Sequence, residues 1–162
     1  MKDVVILGGP NGAGKTTAAK VLLPQIGIDE FVNADEIARG LSPFDSDRAA
    51  LSAGRFMLQR IQSLIEQEKS FAFETTCSGR AHVPLLRKCK EAGWRITLIF
   101  LWLRSPEEAV ERVERRVREG GHSIPPDVIA RRYLAGLRNL RMLYCLWQRP
   151  SQSTIIPTAV EC

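Results

Sequence analysis

A lysine and a threonine close the glycine-rich run Gly9-Pro10-Asn11-Gly12-Ala13-Gly14-Lys15-Thr16, followed by Thr17, and the spacing is GxxxxGK[ST]. The chemistry that suits such a run is the holding of a polyphosphate. Its glycines let backbone N–H groups turn inward around an anion, and a helix starting there adds about half a positive charge. Lys15 supplies a mobile ammonium for the β- and γ-phosphates, and the Thr16 hydroxyl is placed to hold Mg²⁺. Two carboxylates further along extend the chemistry from binding to transfer. Asp35 can take the proton of an attacking hydroxyl or orient it, or it can cap a helix begun by Asp35-Glu36-Ile37-Ala38. Glu74 can bind Mg²⁺ through water or hold an acceptor, with Thr75 and Thr76 adding hydroxyl contacts. Its alternative is a carboxylate satisfied by nearby backbone or arginine.

Arginines come next. Nine of the seventeen lie between Arg104 and Arg141, interleaved with Glu107, Glu108, Glu111, Glu114 and Glu119. Helical salt pairs explain part of that pattern, and an anionic nucleotide explains the rest. Guanidinium groups on a lid would offset charge developing on a transferring phosphoryl group. Arg112, Arg115, Arg116 and Arg118 cannot all point one way, because helix geometry spreads them over different faces. His122, beside two glycines, is a candidate for a phosphate or substrate contact and equally for a loop cap.

These groups need elements to position them. Val4–Gly8 reads as a buried strand and Thr17–Leu23 as a helix stopped by Pro24. Ile28–Ala34 gives a second short strand ending at Asp35, and a loop runs from Gly40 to Asp45. A long helix starts near Ser46 or Asp47, with Leu51, Met57, Leu58, Ile61, Leu64 and Ile65 at helical spacing. Phe71–Phe73 is a third strand ending at Glu74, and Ala81–Glu91 a helix with Pro84 in its first turn and Gly93 as its stop. Arg95–Leu103 is an unbroken apolar run that suits a parallel strand buried on both faces. Ser105-Pro106-Glu107-Glu108 is a capping box that opens a helix to Gly120-Gly121. Pro125-Pro126-Asp127 opens the last helix, with Ile129, Tyr133, Leu137, Leu140, Tyr144 and Trp147 along one face. Strands alternating with helices after such a loop imply an α/β three-layer sandwich of the P-loop type, with a mostly parallel sheet and a helical lid. Ligands sit at the carboxyl ends of such strands, which puts the glycine-rich loop, Asp35 and Glu74 along one edge.

The chain has 162 residues, 44% of them hydrophobic, and a net charge of +5. That length suits one compact unit. No apolar run is long enough to span a membrane, and no signal peptide is visible, so a cytoplasmic location is expected. Cys77, Cys89, Cys145 and Cys162 lack CxxC or metal-ligand spacing, which leaves reduced, incidental thiols. The basic charge admits nucleic acid, but no helix-turn-helix, zinc finger or aromatic RNA platform supports that partner.

With these residues in view, the chain resembles the zeta toxin family of P-loop kinases, particularly its short bacterial members. The matching stretches are GGPNGAGKTT (8–17), FVNADEIARGLSP (31–43), FAFETTCSG (71–79) and RVERRVREGGHSIPPDVIARRYLAGLRNL (112–140). The resemblance implies an ATP- and Mg²⁺-dependent kinase acting on UDP-N-acetylglucosamine, with an antitoxin protein covering the nucleotide site. Carried over by motif, Lys15 and Thr16 become the P-loop ligands, Asp35 the catalytic base and Glu74 a substrate contact. Arg116, and Arg131 or Arg132, approach the triphosphate. The resemblance also implies a last strand after the final helix. The kinase-like part is therefore expected over 1–145. Residues 146–162 read as an irregular tail, truncated or frameshifted, in which Ile155-Ile156 before Pro157 can form an edge stub at best.

Two other functions fit the glycine-rich loop. One is an ABC-type ATPase, but Leu51-Ser52-Ala53-Gly54-Arg55 falls inside an amphipathic helix and no apolar strand ending in Asp-Glu follows it. The other is a catalytically weak ATP-binding module that works by holding a protein partner. A GTPase is disfavoured by the lack of a Lys-x-Asp guanine-reading motif.

Overall fold

A computed structural model of the chain describes residues 1–121, 123–144 and 154–157. Strand β1 (Asp3–Gly8) lies at the centre of a parallel sheet. β3 (Phe71–Thr75) and then β2 (Phe31–Val32) flank it on one side, and β4 (Arg95–Trp102) and then β5 (Thr154–Pro157) on the other. Every pairing is parallel, with Ile6 facing Phe73 on one neighbour and Leu98 on the other. The period-2 pattern divides β1 between two cores. Val4 and Ile6 join Phe71, Phe73, Leu98 and Phe100 in one, and Val5 and Leu7 join Ala72 and Leu101 in the other. A strand buried on both faces has no polar side to show, which is why the interiors of β1 (Val4–Leu7) and β4 (Leu98–Leu101) are apolar, while the charged Asp3 and Arg95 pair at the strand starts.

Helices cover both faces. The first core is closed by α3 (Ser46–Glu66) through Met57, Ile61 and Leu64, by α4 (Val83–Glu91) through Leu86 and Cys89, and by Leu140 and Tyr144. The second is closed by α1 (Lys15–Gln25), α5 (Pro106–Arg118) and α6 (Pro126–Asn139), through Ala19, Leu23, Ala109, Val113, Ile129 and Tyr133. Helix α2 (Ala34–Leu41) sits against α3 through Ala38, Ala49 and Ala53. This is the α/β three-layer arrangement expected from the order of elements.

Local differences from the sequence reading have physical causes. Helix α1 starts at Lys15 and runs past Pro24 to Gln25, because a proline in the last turn forfeits a single intrahelical bond. The second strand shrinks to Phe31–Val32, since only those residues stand in register opposite β3. At the start of α5 the Ser105 hydroxyl accepts from the Glu108 N–H as a capping box requires. The Glu108 carboxylate, however, accepts from the Arg104 N–H one residue earlier, and that bond holds its carboxyl below the usual range. After α6 the backbone continues as a π-turn over Leu140–Tyr144. Thr154–Pro157 forms a short edge strand beside β4, in the one form that the sequence left open for Ile155-Ile156 before Pro157, and there a proline costs no ladder bond on its outer side. Residues 145–153 and 158–162, with Trp147, Cys145 and Cys162, lie outside the described residues.

Candidate active site

The glycine-rich loop leaves β1 at Gly9, whose φ of 143° brings the backbone so close to β4 that a Cβ there would lie 2.3 Å from the Leu101 carbonyl oxygen. Gly12, at φ 79°, leans on α5, where a Cβ would lie 2.9 Å from that of Arg112. Gly14 adopts the left-handed conformation as N-cap of α1. The loop is thereby wrapped around the helix N-terminus, with Ala13 packed into the core beneath it. Lys15 is buried, and its Nζ donates to the Pro10 carbonyl at 2.8 Å. Burial pushes the ammonium pKa down, while the Glu74 carboxylate, 3.6 Å away, and Asp35 work in the opposite direction.

Glu74, one residue before the end of β3, turns toward the loop. Its Oε2 accepts from the Thr16 hydroxyl at 2.7 Å and from Asn33 Nδ2 at 2.9 Å. Asn33 is the joint between the strand ends. Its Oδ1 accepts from the N–H groups of Asp35 and Glu36, which makes it the N-cap of α2 and sets Asp35 in the first turn. Asp35 is therefore not the cap that its position also allowed. A carboxylate in the first turn is favoured there by the helix dipole.

Lys15, Asp35, Glu74, Thr75 and Thr76 line one cleft of about 750 Å³, together with Asn11 and Asn33. From the helices after β4, Arg116 and Arg132 reach the same cleft. Arg131 is exposed and absent from its lining, which separates the two adjacent arginines. Thr17 is likewise exposed on α1 and does not line it, and His122 lies outside the described residues. The far wall carries residues the sequence reading missed: Arg39, Arg55, Ser78 and His82. His82 stacks on Phe73 with ring centroids 4.8 Å apart, and burial pushes its pKa down to about 4. Among the described residues its Nδ1, like Asn11 Oδ1, has no hydrogen-bond partner. Asn33 does carry a sequence signal, since Asn33-Ala34-Asp35-Glu36 has the spacing of a capping box. The far wall carried none, because its residues come together only through packing.

A family model described as an AAA domain matches residues 4–140. An uncharacterized protein of Haemophilus influenzae is 30% identical over 125 residues, spanning 77% of this chain and 88% of that protein. Among solved structures, the PezAT chromosomal toxin–antitoxin system of Streptococcus pneumoniae matches 99% of this chain and 70% of its own, with 17% identity and a TM-score of 0.70. Shikimate kinase from Acinetobacter baumannii, in complex with shikimate, matches 99% of this chain and 86% of its own, with 17% identity and a TM-score of 0.57. No helix among the described residues is long and apolar enough to cross a membrane. The fold is that of the P-loop kinases, and the chain belongs to the AAA-domain family that its residues 4–140 match.

Proposed function

We propose that the chain is an ATP-dependent phosphotransferase that moves the γ-phosphoryl group to a hydroxyl of a small molecule. The observation that carries the reading is the shared cleft of Lys15, Asp35 and Glu74, joined through Asn33 and Thr16. In that reading Lys15 leaves the Pro10 carbonyl for the phosphates, and Asp35 takes the proton of the attacking hydroxyl as the new O–P bond forms and ADP departs. Arg116 and Arg132 would offset charge from the lid side. Magnesium is implied by the fold. The oxygens of Thr16 and Glu74 meet beside Lys15, a hard-oxygen set that fits Mg²⁺. When bound, the ion would draw charge off the transferring group. Glu74 then belongs to the phosphate end, which favours its metal-side role over a substrate contact. Within the class, UDP-N-acetylglucosamine is the acceptor that the zeta toxin resemblance favours. An antitoxin over the nucleotide site belongs to the same proposal and is supported by the likeness to PezAT. A cytoplasmic setting suits the buried Cys77 and Cys89, which form no disulfide.

The test is label transfer from γ-labelled ATP with Mg²⁺ and a panel of UDP-sugars and simple polyols, comparing wild type with Asp35→Asn. Transfer falls by about 10²–10⁴-fold in the variant while ATP binding stays within about threefold, because Asp35 touches the acceptor proton and not the P-loop. ATP hydrolysis indifferent to every acceptor, and equal in the variant, would replace this reading with that of an ATP-binding module.

A further inference from the structure

The loop that joins β3 to α4 is met from outside at residues 76 to 79. Gly136 of α6 passes so close that a Cβ there would lie 2.5 Å from the Thr76 carbonyl oxygen. Asn139, buried in the last turn of α6, donates through Nδ2 to the carbonyls of Cys77 at 2.9 Å and Ser78 at 3.0 Å. Tyr144, also buried, directs its hydroxyl at the Gly79 carbonyl at 3.5 Å. Cys77 sits at φ 58°, a left-handed conformation that side chains other than glycine's seldom adopt unless the surroundings impose it. Two carbonyls held by one buried amide are such surroundings.

The π-turn accounts for two of these contacts arising from one helix. Residues five apart in an α-helix project about 140° from each other. Leu140–Tyr144 are wound i→i+5, which returns Tyr144 toward the side from which Asn139 points.

We infer that Gly136, Asn139 and Tyr144 form a clamp that fixes Thr76 and Ser78 for the acceptor, with Asn139 as a positioning residue. The two held residues both line the cleft. The clamp lies on the helix that brings Arg132 to the cleft two turns earlier, so one rigid element sets both a lid arginine and the acceptor loop. The part assigned to the acceptor rests on the kinase reading; the restraint of the loop does not.

Cys77 and Cys89 are both fully buried, so each alkylates only after its surroundings open. The experiment follows iodoacetamide labelling of both thiols in the full chain by mass spectrometry. In Asn139→Leu, Cys77 labels about tenfold faster or more, as two stranded carbonyls release the loop, while Cys89 stays within about twofold. Equal acceleration of both thiols means that Asn139 only supports the fold, and no acceleration means that it holds nothing; either overturns the clamp. Should Asn139→Leu fail to fold, Tyr144→Phe keeps the ring and removes one grip, and it raises Cys77 labelling alone by about threefold. With a working acceptor, Asn139→Leu raises the acceptor KM about tenfold and leaves ATP affinity within about twofold. An unchanged acceptor KM removes the acceptor role. Failure of every acceptor in the wild type sinks the kinase reading and leaves the labelling result standing.

Discussion

Two neighbouring loops leave two neighbouring parallel strands, and they acquire their shapes in opposite ways. The loop after β1 is shaped from within, since Gly9, Gly12 and Gly14 all take positive φ and no other side chain could follow them there cheaply. The loop after β3 has a non-glycine residue, Cys77, in the left-handed region and is shaped from without by a helix sixty residues further along the chain. A phosphate is the same in every ligand, so a local recipe suffices for it. If the second loop meets the acceptor, as proposed, a loop set by a distant helix could be retuned without disturbing the phosphate end.

The contrast can be broken first at Gly9. Gly9→Ala sets a methyl against the Leu101 carbonyl in a backbone conformation alanine avoids, and we expect a loss of about 3 kcal/mol or more. Binding of a fluorescent ATP analogue falls with it by about 100-fold. A urea midpoint equal to wild type would show that this loop, too, adapts to its surroundings.

An effect of similar size at neutral-to-acid pH tests the ground behind the second loop. His82 precedes α4 with its pKa pushed down to about 4 by burial. Above about pH 6.5 the imidazole is neutral whether the chain is folded or not. As the pH falls below that, the unfolded chain takes up a proton that the folded one refuses, so stability drops progressively toward pH 4, by about 3 kcal/mol in total. Urea unfolding at pH 7, 5.5 and 4.5 measures the slope, and His82→Phe flattens it. A slope unaltered in that variant places the acid sensitivity elsewhere.

The smallest effect is expected at the joint between the two ends. Asn33→Ala removes the cap of α2 and costs about 1–2 kcal/mol. Asn33→Ser restores the cap but not the Nδ2 donor to Glu74, so it recovers the urea midpoint while nucleotide binding still needs more Mg²⁺ than in wild type. Full recovery of both would deny Asn33 any part beyond capping.

The same contrast explains what the sequence disclosed. Gly9–Thr16 could be recognised from its letters because its conformation is written in its own glycines. Asp35 and Glu74 were legible as strand-end carboxylates, since parallel topology sends every strand end to one edge. Their linkage through Asn33 was half legible: the capping spacing is local, but the bonds to Glu74 and Thr16 span 41 and 17 residues. Residues 75–79 carried no such sign. Nothing in Thr75-Thr76-Cys77-Ser78-Gly79 states that Asn139 and Tyr144 will meet it, and the π-turn that allows this has no signature in the 3.6-residue period by which the last helix was read. The separation of Arg132 from Arg131 follows from helix phase relative to the sheet, which only packing fixes.

Lys15 adds a consequence for selectivity. Its ammonium is already engaged by the Pro10 carbonyl and sits beside the Glu74 carboxylate. On the proposed reading an arriving anion competes with Glu74 for the same ammonium, so its entry would weaken an existing ion pair as it forms a new one. A ligand with a single negative charge would gain little from that competition, whereas a polyphosphate would bring several charges and oxygens to the same loop. On that reading the folded-back, buried lysine would act as a charge threshold inside the site, responding more to a chain of phosphates than to a singly charged anion.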